Sequence, residues 1–135
     1  MGKRPTSIQH FRTGSAVGRD KPKKPAKYKN KKVHWEGMTF DSIREFERYQ
    51  ELSLLEKAGV IKDLACQVVM PLSCGDSAVL SKAGRQLSYW VDFCYYDIEQ
   101  DRKRYEDVKG FDTKLSMLKI AVVEAQYGIE VEIVR

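Results

Sequence analysis

Asp92, Asp107 and Lys109 are the residues of this chain whose types and spacing suit chemistry on a phosphate ester. Asp92 sits inside LSYWVDFCYY, residues 87–96, a run that is otherwise largely apolar or aromatic. By strand alternation it shares a face with Ser88, Trp90 and Cys94. A carboxylate there is costly to bury unpaired, so it must meet water, a partner or a metal. In Asp107-Val108-Lys109 the same alternation puts the carboxylate and the ammonium on one face and turns Val108 toward the core. If the two strands are neighbours, two carboxylates and one lysine converge. Paired carboxylates bind hard cations such as Mg²⁺, which takes oxygen ligands and keeps several waters. A lysine beside them orients an attacking water or neutralises charge developing on a phosphate. The structural alternative is a cross-strand salt bridge, worth ~0–1 kcal/mol at a surface. Glu106 adjoins Asp107, so either acid is open as the ligand; sharing a face with Lys109 favours Asp107.

A third acid, Glu45, stands three residues after Ser42, the S-x-x-E spacing of a helix capping box. That role is compatible with a chemical one if the side chain points from the helix start toward the end of the sheet. Glu47, Glu51 and Glu56 fall on other faces and read as solvated charge.

The elements that must carry these residues are legible in the periodicity. VHWEGMTF, residues 33–40, predicts a short hairpin around Glu36-Gly37. IREFERYQELSLLEKAG predicts a helix with Ile43, Phe46, Tyr49, Leu52, Leu55 and Ala58 as its apolar stripe and Gly59 as its stop. Residues 60–65 read as a connector and Cys66 to Leu72 as a strand. Residues 73–86 read as a small-residue loop, with strand residues at most from Ala78 to Leu80. Residues 87–96 and 103–109 are strands joined by the charged turn at 97–101. Thr113 to Tyr127 is a helix packed through Leu115, Leu118, Val122 and Ala125, and Gly128 ends it. The closing residues 129–134 alternate, with Ile129, Val131 and Ile133 inward. The order predicts an α/β protein, a mixed sheet flanked by helices.

Length and composition are those of one soluble domain: 135 residues, 42% apolar and 32% charged. No apolar run nears the ~18 residues that span a bilayer, and no secretory leader is expected. Cys66, Cys74 and Cys94 lack C-x-x-C spacing, which argues against a zinc site or a disulfide framework and for a reducing cytoplasm. The net charge of +5 hides a division. Residues 1–32 hold eleven Lys and Arg against Asp20, a net +10; residues 33–135 hold thirteen against eighteen acids, a net −5. Residues 1–32 therefore read as a flexible basic arm ahead of a domain at 33–135, too poor in apolar residues to pack. Its dense part carries Lys21, Lys23, Lys24, Lys27, Lys29, Lys31 and Lys32, the expected contacts to DNA phosphates.

In this order, Glu45, Asp92, Asp107 and Lys109 resemble the motif of the PD-(D/E)XK nuclease superfamily: a helix glutamate, a strand aspartate, then (D/E)-x-K on the next strand. The resemblance covers residues 27–135. It extends to a family of short phage proteins through KYKNKKVHWEGMTFDSIREFERYQEL, YWVDF, YEDVKGF and YGIEVEIV. The strand carries VD where the motif is named for PD. The resemblance implies a restriction-endonuclease-like αβββαβ core and Mg²⁺-dependent cleavage of DNA, with Mn²⁺ as a substitute. Asp92 and Asp107 would hold the metal directly and Glu45 directly or through water. Lys109 would position the nucleophile and stabilise the pentavalent transition state, and Gln67 would line the same end. It further implies a phage-encoded enzyme in the host cytoplasm, branched DNA such as a Holliday junction as a plausible substrate, and a homodimer as one assembly. The competing functions are a non-catalytic nucleic-acid-binding module and a phage assembly protein.

Overall fold

A computed structural model describes residues 30–135. Most of the basic arm, including Lys21, Lys23, Lys24, Lys27 and Lys29, lies outside the described residues, whereas Lys31 and Lys32 are exposed at their start.

β1 (Val33–Trp35) and β2 (Met38–Phe40) form the expected antiparallel hairpin, with Val33 opposite Phe40 and Trp35 opposite Met38. Glu36 and Gly37 both have positive φ, +46° and +79°, the backbone of a two-residue turn whose twist matches its strands. α1 (Ile43–Lys57) starts at the Ser42 cap, whose hydroxyl accepts from Glu45 N. Gly59, at φ +74°, closes it, with Gly59 N donating to Glu56 O and Val60 N to Leu55 O. Only the middle of the expected stripe packs: Leu52 is buried and Phe46 and Tyr49 partly so, while Ile43, Leu55 and Ala58 are exposed.

β3 (Ile61–Pro71) begins five residues earlier than the sequence pattern predicts, so residues 60–65 are largely strand rather than connector. The signal is hidden by a bulge: Lys62 faces Tyr96 and Ala65 faces Cys94, with the extra residue accommodated at Asp63, φ +58°. An inserted residue breaks the period of two. Residues 73–86 are also more ordered than a loop. β4 (Ser73–Cys74) pairs with β5 (Ser77–Ala78), and Leu80 bridges to Gln86. β6 (Ser88–Asp97) and β7 (Arg102–Val108) form the central hairpin. α2 (Lys114–Tyr127) then crosses over and returns the chain as β8 (Val131–Val134), parallel to β7. The sheet order is β3-β6-β7-β8, three antiparallel strands and one parallel, and the core elements run α, β, β, β, α, β along the chain.

Two apolar clusters flank the sheet. α1 packs through Leu52 with Phe40, Ile61, Phe93 and Tyr95; α2 packs through Val123 with Met70, Leu72, Tyr89, Val91 and Val131. Val91 and Phe93 have the same parity on β6, yet they enter different clusters, as do Val68 and Cys66 on β3. The change of side falls at Gln67, whose φ of +51° turns the strand there, level with Asp92 on the neighbour. Of the expected face of α2 only Val122 packs against the core, together with buried Val123 and half-buried Ile120, while Leu115, Leu118 and Ala125 face outward. Apolar residues surround this helix, so periodicity could not select its buried side. No helix among the described residues is long and apolar enough to cross a membrane. The three cysteines are free thiols.

Candidate active site at the splayed end of the central hairpin

β6 and β7 stay in register from Asp97↔Arg102 to Phe93↔Glu106. At the next level the side chain of Asp92 enters the ladder: its Oδ2 accepts from Val108 N at 2.7 Å. Asp92 is thereby held across the hairpin, within hydrogen-bonding reach of the Asp107 carboxyl. Asp107 is buried; its Oδ2 accepts from Tyr89 OH and meets Lys109 Nζ at 2.6 Å. Lys109 Nζ also donates to Tyr89 OH at 3.2 Å. Lys109 N donates to Val134 O at 3.0 Å, extending the parallel β7–β8 ladder and fixing the backbone from which the ammonium projects.

Glu45 lies at the start of α1, buried, with Oε2 accepting from Asp41 N at 2.9 Å. The capping box is thus met in a shifted form: Ser42 Oγ accepts from Glu45 N at 3.1 Å, and Glu45 reaches back one residue beyond the cap. Gln67 donates from Nε2 to Thr39 O at 2.6 Å and lies near enough to Glu45 to favour its charged form, so the turned residue of β3 meets both the β1–β2 hairpin and the helix start. Glu45, Gln67, Asp92, Asp107 and Lys109 therefore occupy one end of the sheet.

The electrostatics are those of anions crowded together. Burial, then sharing with Asp107 and repulsion from it, push the Asp92 carboxyl up to about 8. Burial also raises Glu45, with Asp41 and Asp107 adding like-charge repulsion. Tyr89 is raised far above the usual phenol range by burial and by the Asp107 carboxylate, so its hydroxyl stays protonated and acts as a donor. Glu106 differs in kind. Burial pushes it upward, but Arg48 and Tyr95 outweigh that and hold it below the usual range. Arg48 Nε and Nη2 each donate to one of its oxygens at 2.8 Å, and Tyr95 OH donates at 2.5 Å. Burial lifts the Cys66 thiol to about 11, with Glu45 and Glu56 adding to it, which leaves it no nucleophile at neutral pH.

Among the described residues no three His, Cys, Asp or Glu side chains come together closely enough to hold a metal ion by themselves. The donor set is the Asp92–Asp107 pair, with Glu45 in electrostatic range. Such a pair suits Mg²⁺, which commonly takes one or two carboxylates and fills its remaining positions with water and substrate phosphate. Tyr89, which bonds both Asp107 and Lys109, is absent from the motif reading. Alternation assigns it the face away from Asp92, so the sequence pattern does not bring it to the site.

Lys32, expected among the phosphate contacts, forms an exposed ion pair with Asp41 at 3.3 Å, worth little and easily exchanged. Residues 25–134 match a family model described as "Protein of unknown function (DUF1064)". No curated protein and no solved structure matches the chain.

Proposed function

The chain belongs to the family described as "Protein of unknown function (DUF1064)", and we propose that it is a Mg²⁺-dependent DNA endonuclease of the PD-(D/E)XK superfamily, phage-encoded and acting on branched DNA such as Holliday junctions. The observation that carries this reading is the pairing of Asp92 with Asp107 beside Lys109, while the adjacent Glu106 is occupied by Arg48. Two carboxylates within hydrogen-bonding reach resist ionising together, and a bound cation relieves that resistance. A ligand pair of this kind, in a chain with a strongly basic N-terminal segment, suits a polyanionic substrate.

Asp92 and Asp107 would hold Mg²⁺ or Mn²⁺, with Glu45 contributing directly or through water. When bound, the ion would polarise a phosphoryl oxygen and ease deprotonation of a water. Lys109 has three N–H donors; Asp107 and Tyr89 engage two of them, leaving the third for the attacking water or the scissile phosphate. Its positive charge offsets the charge that builds on phosphorus as the new bond forms. Tyr89 keeps the ammonium and the Asp107 carboxylate in fixed relation, so neither must reorganise during the reaction.

The test is incubation of labelled duplex, single-stranded and branched DNA with the full chain in Mg²⁺, Mn²⁺ or EDTA. Cleavage with either metal and none in EDTA is expected. Binding without cleavage on every substrate in both metals would replace this reading with that of a nucleic-acid-binding module.

A further inference from the structure

A second feature adjoins the acid pair. Between the first residues of β6 and the first turns of α2 lies a cavity of about 300 Å³, lined by Tyr89, Trp90, Thr113, Leu115, Ser116 and Lys119 among others. Tyr89 is shared with the site, since its hydroxyl contacts both Asp107 and Lys109. Trp90 is 58% exposed and Leu115 62% exposed, so an indole and an isobutyl group meet solvent beside this space. Large aromatic rings usually bury most of their area.

We infer that this cavity receives one unpaired nucleobase of the DNA, stacked on Trp90 and with its backbone phosphate at Lys119. The inference rests on the nuclease reading and specifies what kind of DNA the site takes. Size is adequate, because a single base is well under this volume. Chemistry favours stacking over hydrogen-bond readout. The Thr113 and Ser116 side chains are committed to the α2 capping box, each accepting from the other's backbone N–H at 3.1 Å. What remains is one hydroxyl, of Ser88, beside the apolar surface of Trp90 and Leu115 and the Lys119 ammonium, a combination that favours holding bases by stacking with little regard to sequence. A base inside an intact duplex is already stacked on both faces and cannot lie on Trp90. Only a base at a gap, a flap or a branch point presents a free face. The cavity therefore selects DNA in which a nucleotide freed from the stack, at a gap, a flap or an opened branch point, lies next to the bond at Lys109.

The experiment measures binding of the full chain in EDTA, by anisotropy, to a labelled duplex and to the same duplex interrupted by a short single-stranded gap. Wild type is expected to prefer the gapped DNA. Trp90→Ala should weaken that complex roughly ten- to hundredfold, the loss of one stacked base, and leave duplex binding about unchanged, whereas Trp90→Phe should keep the preference. Lys119→Gln should lower the salt slope on gapped DNA by about 0.7. In a Trp35→Phe background Trp90 is the remaining tryptophan, and gapped DNA but not duplex should quench its emission. Absence of a preference in wild type, equal losses on both DNAs in Trp90→Ala, or unquenched emission would overturn the inference. A protein that shows the preference and the quenching but never cuts would sink the nuclease reading alone; one that cuts while Trp90→Ala binds like wild type would sink only this one.

Discussion

The guanidinium of Arg48 on α1 grips Glu106 on β7 through two hydrogen bonds of 2.8 Å, one to each carboxylate oxygen. Glu106 is 1% exposed, and Tyr95 OH donates to it as well. Two adjacent acids on one strand are thus sorted by their partners: Glu106 fastens the helix to the sheet, and Asp107 faces Asp92 and Lys109. Arg48→Ala should cost about 3–5 kcal/mol, because it strands a buried charge. Urea denaturation of the full chain checks this; a loss below about 1 kcal/mol would mean the pair is dispensable.

The same sorting predicts opposite phenotypes for neighbouring substitutions. Asp107→Asn should lower cleavage by more than about a hundredfold while leaving folding and DNA binding close to wild type, since shape is kept and one ligand charge is lost. Lys109→Ala should behave alike, with metal binding retained. Glu106→Gln should lower the denaturation midpoint yet leave turnover per folded molecule nearly intact. A dead Glu106→Gln beside an active Asp107→Asn would reverse the assignment.

Tyr89→Phe removes one hydroxyl from between Asp107 and Lys109. Turnover should fall about ten- to hundredfold with KM for DNA little changed, because the groups it positions remain but lose their fixed relation. Equal kcat for the two proteins would show that Tyr89 only fills the core.

The raised Asp92 carboxyl fixes a pH dependence. Its folded value of about 8 stands above an ordinary 3.8, so between those values the folded chain holds a proton that the unfolded chain has released. That contribution to stability is complete below pH 4 and is lost as pH rises through about 8. In EDTA the urea midpoint should therefore fall from about pH 5 to pH 8, and the fall should be shallower in Asp92→Asn. Added Mg²⁺ should oppose it increasingly at higher pH, since the ion competes with that proton. Glu106, held low, acts only at the acid end, where protonating it costs stability.

Removing residues 1–26 takes away seven of the eleven Lys and Arg in the first 32 residues. The shortened chain should fold, bind duplex DNA more weakly, and show a flatter log–log salt slope, by about 0.9 for each phosphate that the arm no longer neutralises. Cleavage at saturating DNA should persist. Equal affinities and slopes across a salt series would make the arm a bystander.

Much of this arrangement is open to reading from the sequence because it depends on local patterns. The β1–β2 hairpin, the Ser42 and Thr113 helix starts, and the strands bearing Asp92 and Asp107 follow from turn chemistry, capping and period-two alternation. Alternation also puts Asp107 with Lys109 and Val108 on the other side. What escapes depends on backbone turns that leave no residue-type signature. Asp63 and Gln67 have positive φ although neither is glycine, and the bulge at Asp63 disguises the first half of β3. Arg48 escapes too, because a lone arginine on a charged helix looks like solvated surface until its partner, 58 residues away, is known.

Those same two turned residues bear on the exposed edge of the sheet. β3 is an outer strand of eleven residues, long enough to offer backbone groups to another chain, although Glu56 already accepts from Leu64 N. Asp63 and Gln67 break its run of outward N–H and C=O groups, Lys62 adds a charge, and Pro71 lacks an N–H altogether. The opposite margin, β8, is only four residues long. These breaks spoil the open side of the sheet as a template for cross-β aggregation. Flattening β3 to ordinary extended backbone would restore an unbroken edge for another strand to pair with.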